Sequence, residues 1–154
     1  MNNVLFVGFK GKNNASGMLV EQLSHDPLLL TNSFPGIRRD IDSVPNEYDY
    51  VVMFGVDKTL TDSVRIDKIA SLNGIKKATA INLQSIKEKL ADGGVSAEIS
   101  EIPTAYLCNE AYWHMLEKFS GRAVFIHIPT IKNMDECFVG KMKMVFNDLR
   151  SCSA

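Results

Sequence analysis

The sequence predicts an α/β protein: a three-layer α/β/α sandwich around a mainly parallel, mixed sheet. Three observations carry that expectation. Strand-length apolar runs alternate with segments of helical periodicity along the whole chain. The runs "NVLFVGF", "YDYVVMFGV" and "RAVFIHIP" are apolar almost throughout, as strands covered on both faces are. The 154 residues, 45% hydrophobic and 23% charged, are enough for one sizeable core, and no linker, repeat or low-complexity stretch divides them. A single domain over residues 1–154 follows.

Taken in order, Asn3 to Phe9 is the first central strand, ending in a Gly-Phe pair before the polar loop "KGKNNAS". Ser16 is placed to cap a helix carrying Met18, Leu19 and Leu23 on one face, stopped by Asp26-Pro27. "LLLTNSF" reads as a second strand. "GIRRDIDSV" puts Ile37, Ile41 and Val44 on one helical face, with Pro45 as terminator. Tyr48 to Val56 returns to the buried-strand pattern, and "DKTLTDS" leaves its carboxyl end as a loop. The alternating "VRIDKIASL" reads as an edge or half-exposed strand. "ATAINLQSIKEKLADGG" becomes helical in its second half, with Ile86 and Leu90 four apart and Gly93-Gly94 as stop. "VSAEIS" is a short strand. A helix from about Pro103 or Thr104 to Phe119 precedes the strand "RAVFIHIP". A last helix, from about Met134 to Arg150, carries Phe138, Met142, Val145, Phe146 and Leu149 at core spacing.

Composition narrows the function. A formal net charge of -1 and a pI near 6.3 leave no electrostatic footprint for nucleic acid. The N-terminus lacks a basic segment and a small-residue cleavage pattern, and no run approaches the length of a membrane span, so neither a signal peptide nor membrane insertion is expected. Cys108, Cys137 and Cys152 are odd in number and follow no disulfide or CxxC spacing; a reducing cytoplasm fits them best. No metal-ligand pattern is present, so neither a metal nor a cofactor is expected.

In a sheet of this kind ligands lie beyond the carboxyl ends of the strands, which draws attention to Phe9 to Ser16, Asp57 to Ser63, Ile99 to Cys108 and His127 to Pro129. Cys108 falls near the start of its helix, where unpaired N–H groups and the helix dipole favour a thiolate. His127 stands near the end of an apolar strand, where a neutral imidazole could accept the thiol proton. On residues alone both remain open: Cys108 also fits a small buried hydrophobe among Leu107, Ala111 and Leu116, and His127 fits a core histidine.

"TAYLCNEAYWHML" followed by "RAVFIHIP" closely resembles the nucleophile and base segments of pyroglutamyl peptidase I, the pyrrolidone-carboxylate peptidase family of cysteine peptidases. "NVLFVGF", "NNASGMLVEQL", "YDYVVMFGV" and "GGVSAEIS" are similar to further family segments, so the resemblance covers most of the chain. It implies Cys108 as nucleophile and His127 as base. Through "DKIA", which stands where the family has Glu-Arg-Val-Ala, it implies Asp67 as third member, one methylene shorter than glutamate. It also implies Phe9, Asn14 and Leu107 as substrate-facing. Departures are visible too. Pro103-Thr104-Ala105 replaces Ala-Gly-Thr, "KGKNN" shortens the Glu-Pro-Phe-Gly-Gly loop, and "VDKTLTDS" replaces the segment bearing the Gly-Gly-Arg arginine, leaving Lys58 as the nearby cation. The long segment after the acid strand is largely missing.

The expected activity is therefore hydrolysis of the amide bond after an N-terminal pyroglutamyl residue, with an N-terminally blocked peptide or small amide as partner and a homo-oligomer as a further expectation by family analogy. A thiol hydrolase for another small amide and a non-catalytic binding or assembly homologue are the alternatives.

Overall fold

A computed structural model describes residues 3–152; of residues 148–152 only the backbone is described, so the side chains of Leu149 and Cys152 lie outside it. The elements run β1 (Val4–Phe9), α1 (Ala15–Leu23), β2 (Leu28–Leu30), α2 (Phe34–Asp42), β3 (Tyr50–Val56), β4 (Ser63–Asp67), β5 (Ile69–Leu72), β6 (Ile75–Ala78), α3 (Leu83–Asp92), β7 (Ser96–Ser100), α4 (Tyr106–Lys118), β8 (Ala123–Ile128) and α5 (Glu136–Cys152). One 3-10 turn, Ile131–Asn133, precedes α5.

Six strands form one mixed sheet in the order β2-β1-β3-β8-β4-β7. The first four are mutually parallel; β4 runs antiparallel to β8 and parallel to β7, so the last two strands oppose the rest. Helices α1, α3 and α5 cover one face around Leu19, Phe54, Leu90, Ile126 and Phe146; α2 and α4 cover the other around Ile37, Met53, Tyr112 and Phe125. The expected three layers are present.

Local chemistry sets most boundaries. Asn14, not Ser16, caps α1: its Oδ1 accepts from the Ser16 N–H at 3.0 Å, while the buried Ser16 hydroxyl accepts from the Phe9 N–H at 3.0 Å and ties helix to strand. The second strand is shorter than expected. Ser33 accepts from the Gly36 N–H at 3.0 Å and Pro35 pre-sets the first turn, so Phe34 opens α2. "VRIDKIASL" is not one edge strand: it breaks at Lys68 into β4, flanked by β8 and β7, and β5, which pairs with β6 as a separate hairpin. Asn73-Gly74 makes that turn, both at positive φ (52° and 79°), the conformation the Asn-Gly pair adopts in two-residue hairpins. Helix α4 begins at Tyr106 rather than at Pro103 or Thr104.

Candidate active site

Alternation along β8 turns Ala123, Phe125 and His127 toward α2 and α4, and Val124, Ile126 and Ile128 toward the opposite layer. Register extends this across the sheet. His127 is paired with Gly55 on one side and Arg65 on the other, and Phe125 with Met53 and Asp67. Because paired residues share a face, Arg65, Asp67, Phe125 and His127 all project beneath α4.

Asp67 and His127 meet there. The imidazole Nε2 lies 2.8 Å from Asp67 Oδ2, with 3% and 1% of the two side chains exposed. The shorter aspartate thus reaches the imidazole unaided. With a carboxylate on Nε2, the hydrogen of a neutral ring sits on that nitrogen and the lone pair on Nδ1. Nδ1 is buried and has no hydrogen-bond partner among the described residues. Asp67 is held from two further sides: Arg65 Nε lies 3.4 Å from its Oδ1, and the Tyr112 hydroxyl donates to its backbone oxygen at 2.7 Å. Arg65 Nη1 also pairs with Asp57, on the turn leaving β3. Burial pushes the Asp57 carboxyl up, but bonds from Thr59 and Arg65 outweigh it and hold the group well below the ordinary carboxylate range.

Cys108 occupies the first turn of α4, and its thiol rests over Gly55. A Cβ built on that glycine would stand 2.9 Å from Sγ and 2.7 Å from the Phe125 ring tip, so only glycine leaves room for both. Phe125 in turn lies 4.8 Å from the imidazole, centroid to centroid. The thiol therefore shares one face of the sheet with His127, over the residue His127 pairs with. Burial first, and then the Asp67 charge, push the Cys108 thiol up to about 12, with Arg65 pulling the other way. Burial thus works against the thiolate that the helix terminus was expected to favour, and tips the balance toward the neutral thiol.

The start of α4 is open. Its N-cap, Ala105, has no side-chain acceptor for the first-turn N–H groups, and Tyr106 adopts φ 62° with 83% of its surface exposed. A tyrosine in the left-handed region is strained backbone beside the thiol. Asn109 fixes the next position: its Oδ1 accepts from the Ser71 N–H at 3.0 Å and its Nδ2 donates to the Ser71 oxygen at 2.7 Å, docking α4 on β5.

The expected substrate-facing residues are packed or bonded within the fold. Phe9 is 4% exposed, and the half-buried Leu107 packs with it and Cys108 in one apolar cluster. Asn14 commits its side-chain oxygen to the α1 cap. Lys58 is exposed on its turn; the cation beside the acid–imidazole pair is Arg65. Sequence reasoning passed over Arg65, Gly55 and Tyr112. Arg65 had a signal, since two residues before Asp67 in a strand is the same face. Among the described residues no group of three or more His, Cys, Asp or Glu could hold a metal ion, and no helix is long and apolar enough to cross a membrane.

Fold and site together describe an α/β/α protein with a mixed sheet, carrying a buried acid–imidazole pair and a thiol on one face. The particular fold is that of the pyroglutamyl peptidases. The chain superposes on pyrrolidone carboxyl peptidase from Thermococcus litoralis with a TM-score of 0.74 at 17% identity, covering 99% of this chain and 97% of that one. On Bacillus amyloliquefaciens pyroglutamyl peptidase I the TM-score is 0.78 at 16% identity, covering 94% and 95%. On the Pyrococcus furiosus pyrrolidone carboxyl peptidase it is 0.78 at 16%, covering 97% and 98%. No protein-family model and no curated protein matches the sequence.

Proposed function

We propose that this chain is a divergent, short pyroglutamyl peptidase: a cysteine peptidase that cleaves the amide bond after an N-terminal pyroglutamyl residue in a blocked peptide. The observation that carries the reading is the buried Asp67–His127 pair, with an unbonded Nδ1, on the face that also holds the Cys108 thiol. In this reading His127 Nδ1 takes the Cys108 proton as Sγ adds to the substrate carbonyl. The first-turn N–H groups of α4 receive the oxyanion. The imidazolium then gives its proton to the departing amine, leaving a thioester, and a water activated by Nδ1 hydrolyses it to the acid and the free thiol. Asp67 holds the Nε2 hydrogen and offsets the charge on the imidazolium. A resting thiol and imidazole without a mutual hydrogen bond fit this, because catalytic bonds in ligand-free sites often form only with substrate.

A second reading keeps the thiol chemistry and changes the substrate to another small amide. The buried Phe9 and the committed Asn14 favour it, since both stand where the family resemblance puts substrate contacts.

The test is hydrolysis of a fluorogenic pyroglutamyl amide by the chain and by Cys108→Ala, at neutral pH with a reductant. Turnover that falls by about 10³-fold or more in the variant supports the peptidase. Turnover of a different amide, lost in Cys108→Ala, selects the second reading. No turnover of any amide in a panel removes both and leaves a binding module of the same fold.

A further inference from the structure

We infer that Arg65 is a positioning residue for the Asp67–His127 pair, acting through the charge it brings to Asp67, and that Asp57 sets how much of that charge the pair feels. The inference rests on the proposed role of that pair, and neither Arg65 nor Asp57 is needed as a contact to substrate.

The geometry is specific. Arg65 is the register partner of His127 across the antiparallel β4–β8 pairing, so its side chain projects on the same face one strand away. Its side chain is only partly exposed, at 26%, and the guanidinium bridges two carboxylates that belong to different parts of the fold: Nη1 on Asp57 from the turn after β3, and Nε 3.4 Å from Asp67 Oδ1. Asp67 has two carboxylate oxygens and two distinct neighbours. Oδ2 receives the imidazole and Oδ1 faces the guanidinium, so the arginine fixes which oxygen is left for His127.

An anion with 1% of its side chain exposed is costly without a compensating cation. Within the described bonds of Asp67 the only full positive charge is Arg65. The other groups facing the pair are the neutral Cys108 thiol and the Tyr112 hydroxyl from α4, and Glu98, the β7 register partner of Arg65, which is exposed. Asp57 withdraws part of the Arg65 charge by pairing with its far side. The two residues should therefore act in opposite directions. Without Arg65 the acid–imidazole pair takes up a proton at higher pH; without Asp57 it does so at lower pH.

The experiment follows the His127 ring nitrogens by 15N NMR across pH in the full chain, in Arg65→Met, in Arg65→Lys and in Asp57→Asn, alongside far-UV circular dichroism. The expected result is a titration midpoint raised by about 1 pH unit in Arg65→Met, the scale of one opposite charge within 4–6 Å. Arg65→Lys should restore most of the shift, and Asp57→Asn should move the midpoint down. Midpoints unchanged in folded Arg65→Met and Asp57→Asn, or displaced in the same direction, overturn the inference and leave Arg65 as a tether for the turn after β3. If Arg65→Met does not fold, the sign of the Asp57→Asn shift decides alone. The titration needs no turnover, so it separates this inference from the peptidase reading: a chain that hydrolyses no amide can still show the two opposed shifts, and an active one can lack them.

Discussion

At the scale of the residue, the thiol and the acid make separate predictions. A neutral Cys108 with its titration pushed up to about 12 has a smaller thiolate fraction at neutral pH than a free cysteine, whose ordinary value is about 8.5. Iodoacetamide should therefore alkylate it more slowly than a model thiol at pH 7, with the rate still climbing at pH 10, as mass spectrometry of timed samples would show. A rate matching the model thiol would mean the site opens to water. Asp67→Asn keeps the shape but removes the anion that selects the Nε2–H tautomer. If the triad operates, turnover should drop by as much as about 10⁴-fold with the fold retained, the loss a wrong tautomer causes in such triads. Gly55→Ala tests packing at the same point: its methyl would meet Phe125 and Cys108 below 3 Å. Overpacking of that kind costs about 1–3 kcal/mol, measurable by denaturant unfolding.

At the scale of the element, Asn109 is the informative position. Its amide replaces a neighbouring strand for Ser71, donating and accepting across the outer edge of β5. Asn109→Ala strands both Ser71 groups and should cost about 1–3 kcal/mol, and should weaken turnover through misplacement of α4 even though Cys108 itself is untouched. The same element shows what could be read in advance. The uniformly apolar β1, β3 and β8 announce themselves by composition, and the Cys108 and His127 segments were legible because each sits inside a distinctive run. The acid was placed by its short "DKIA" context, and the structure brings its carboxylate to His127 across 60 residues of chain. What was not legible depends on pairing between distant segments. That Arg65 stands opposite His127 follows from the register of β4 against β8, that β4 is interior from its further pairing with β7, and that Tyr112 reaches Asp67 from the docking of α4, none of which periodicity in a single strand contains. The β5–β6 hairpin is different: its turn pair, Asn73-Gly74, is local information that the sequence carries by itself.

At the scale of the whole molecule, pH acts through carboxylates whose titration folding has depressed. Asp57 sits well below the ordinary range because Thr59 and Arg65 outweigh burial; Asp40 is lowered in the same way by bonds from Thr31, whose N–H it accepts at 2.8 Å, and by the charges of Lys10 and Arg39. For a depressed carboxyl the unfolded chain binds the proton first, so the stabilisation is complete above about pH 4 and is lost as pH falls through the folded value. The melting temperature should be level near neutrality and decline below pH 4, and Asp57→Asn or Asp40→Asn should flatten that decline in calorimetry. A decline of unchanged slope in both variants would assign acid sensitivity to other groups.

His127 belongs to a strand with a hydrogen-bonded neighbour on each side and a helix layer above and below, and Asp67 ends the strand beside it. Neither can be released by a loop opening or a terminus fraying. The amides of Ile126 and His127 should accordingly exchange with deuterium only through global unfolding, at the slowest rates in the chain. The acid–imidazole pair should then survive heating up to the cooperative transition and vanish with it, so that the lifetime of the site is the lifetime of the fold.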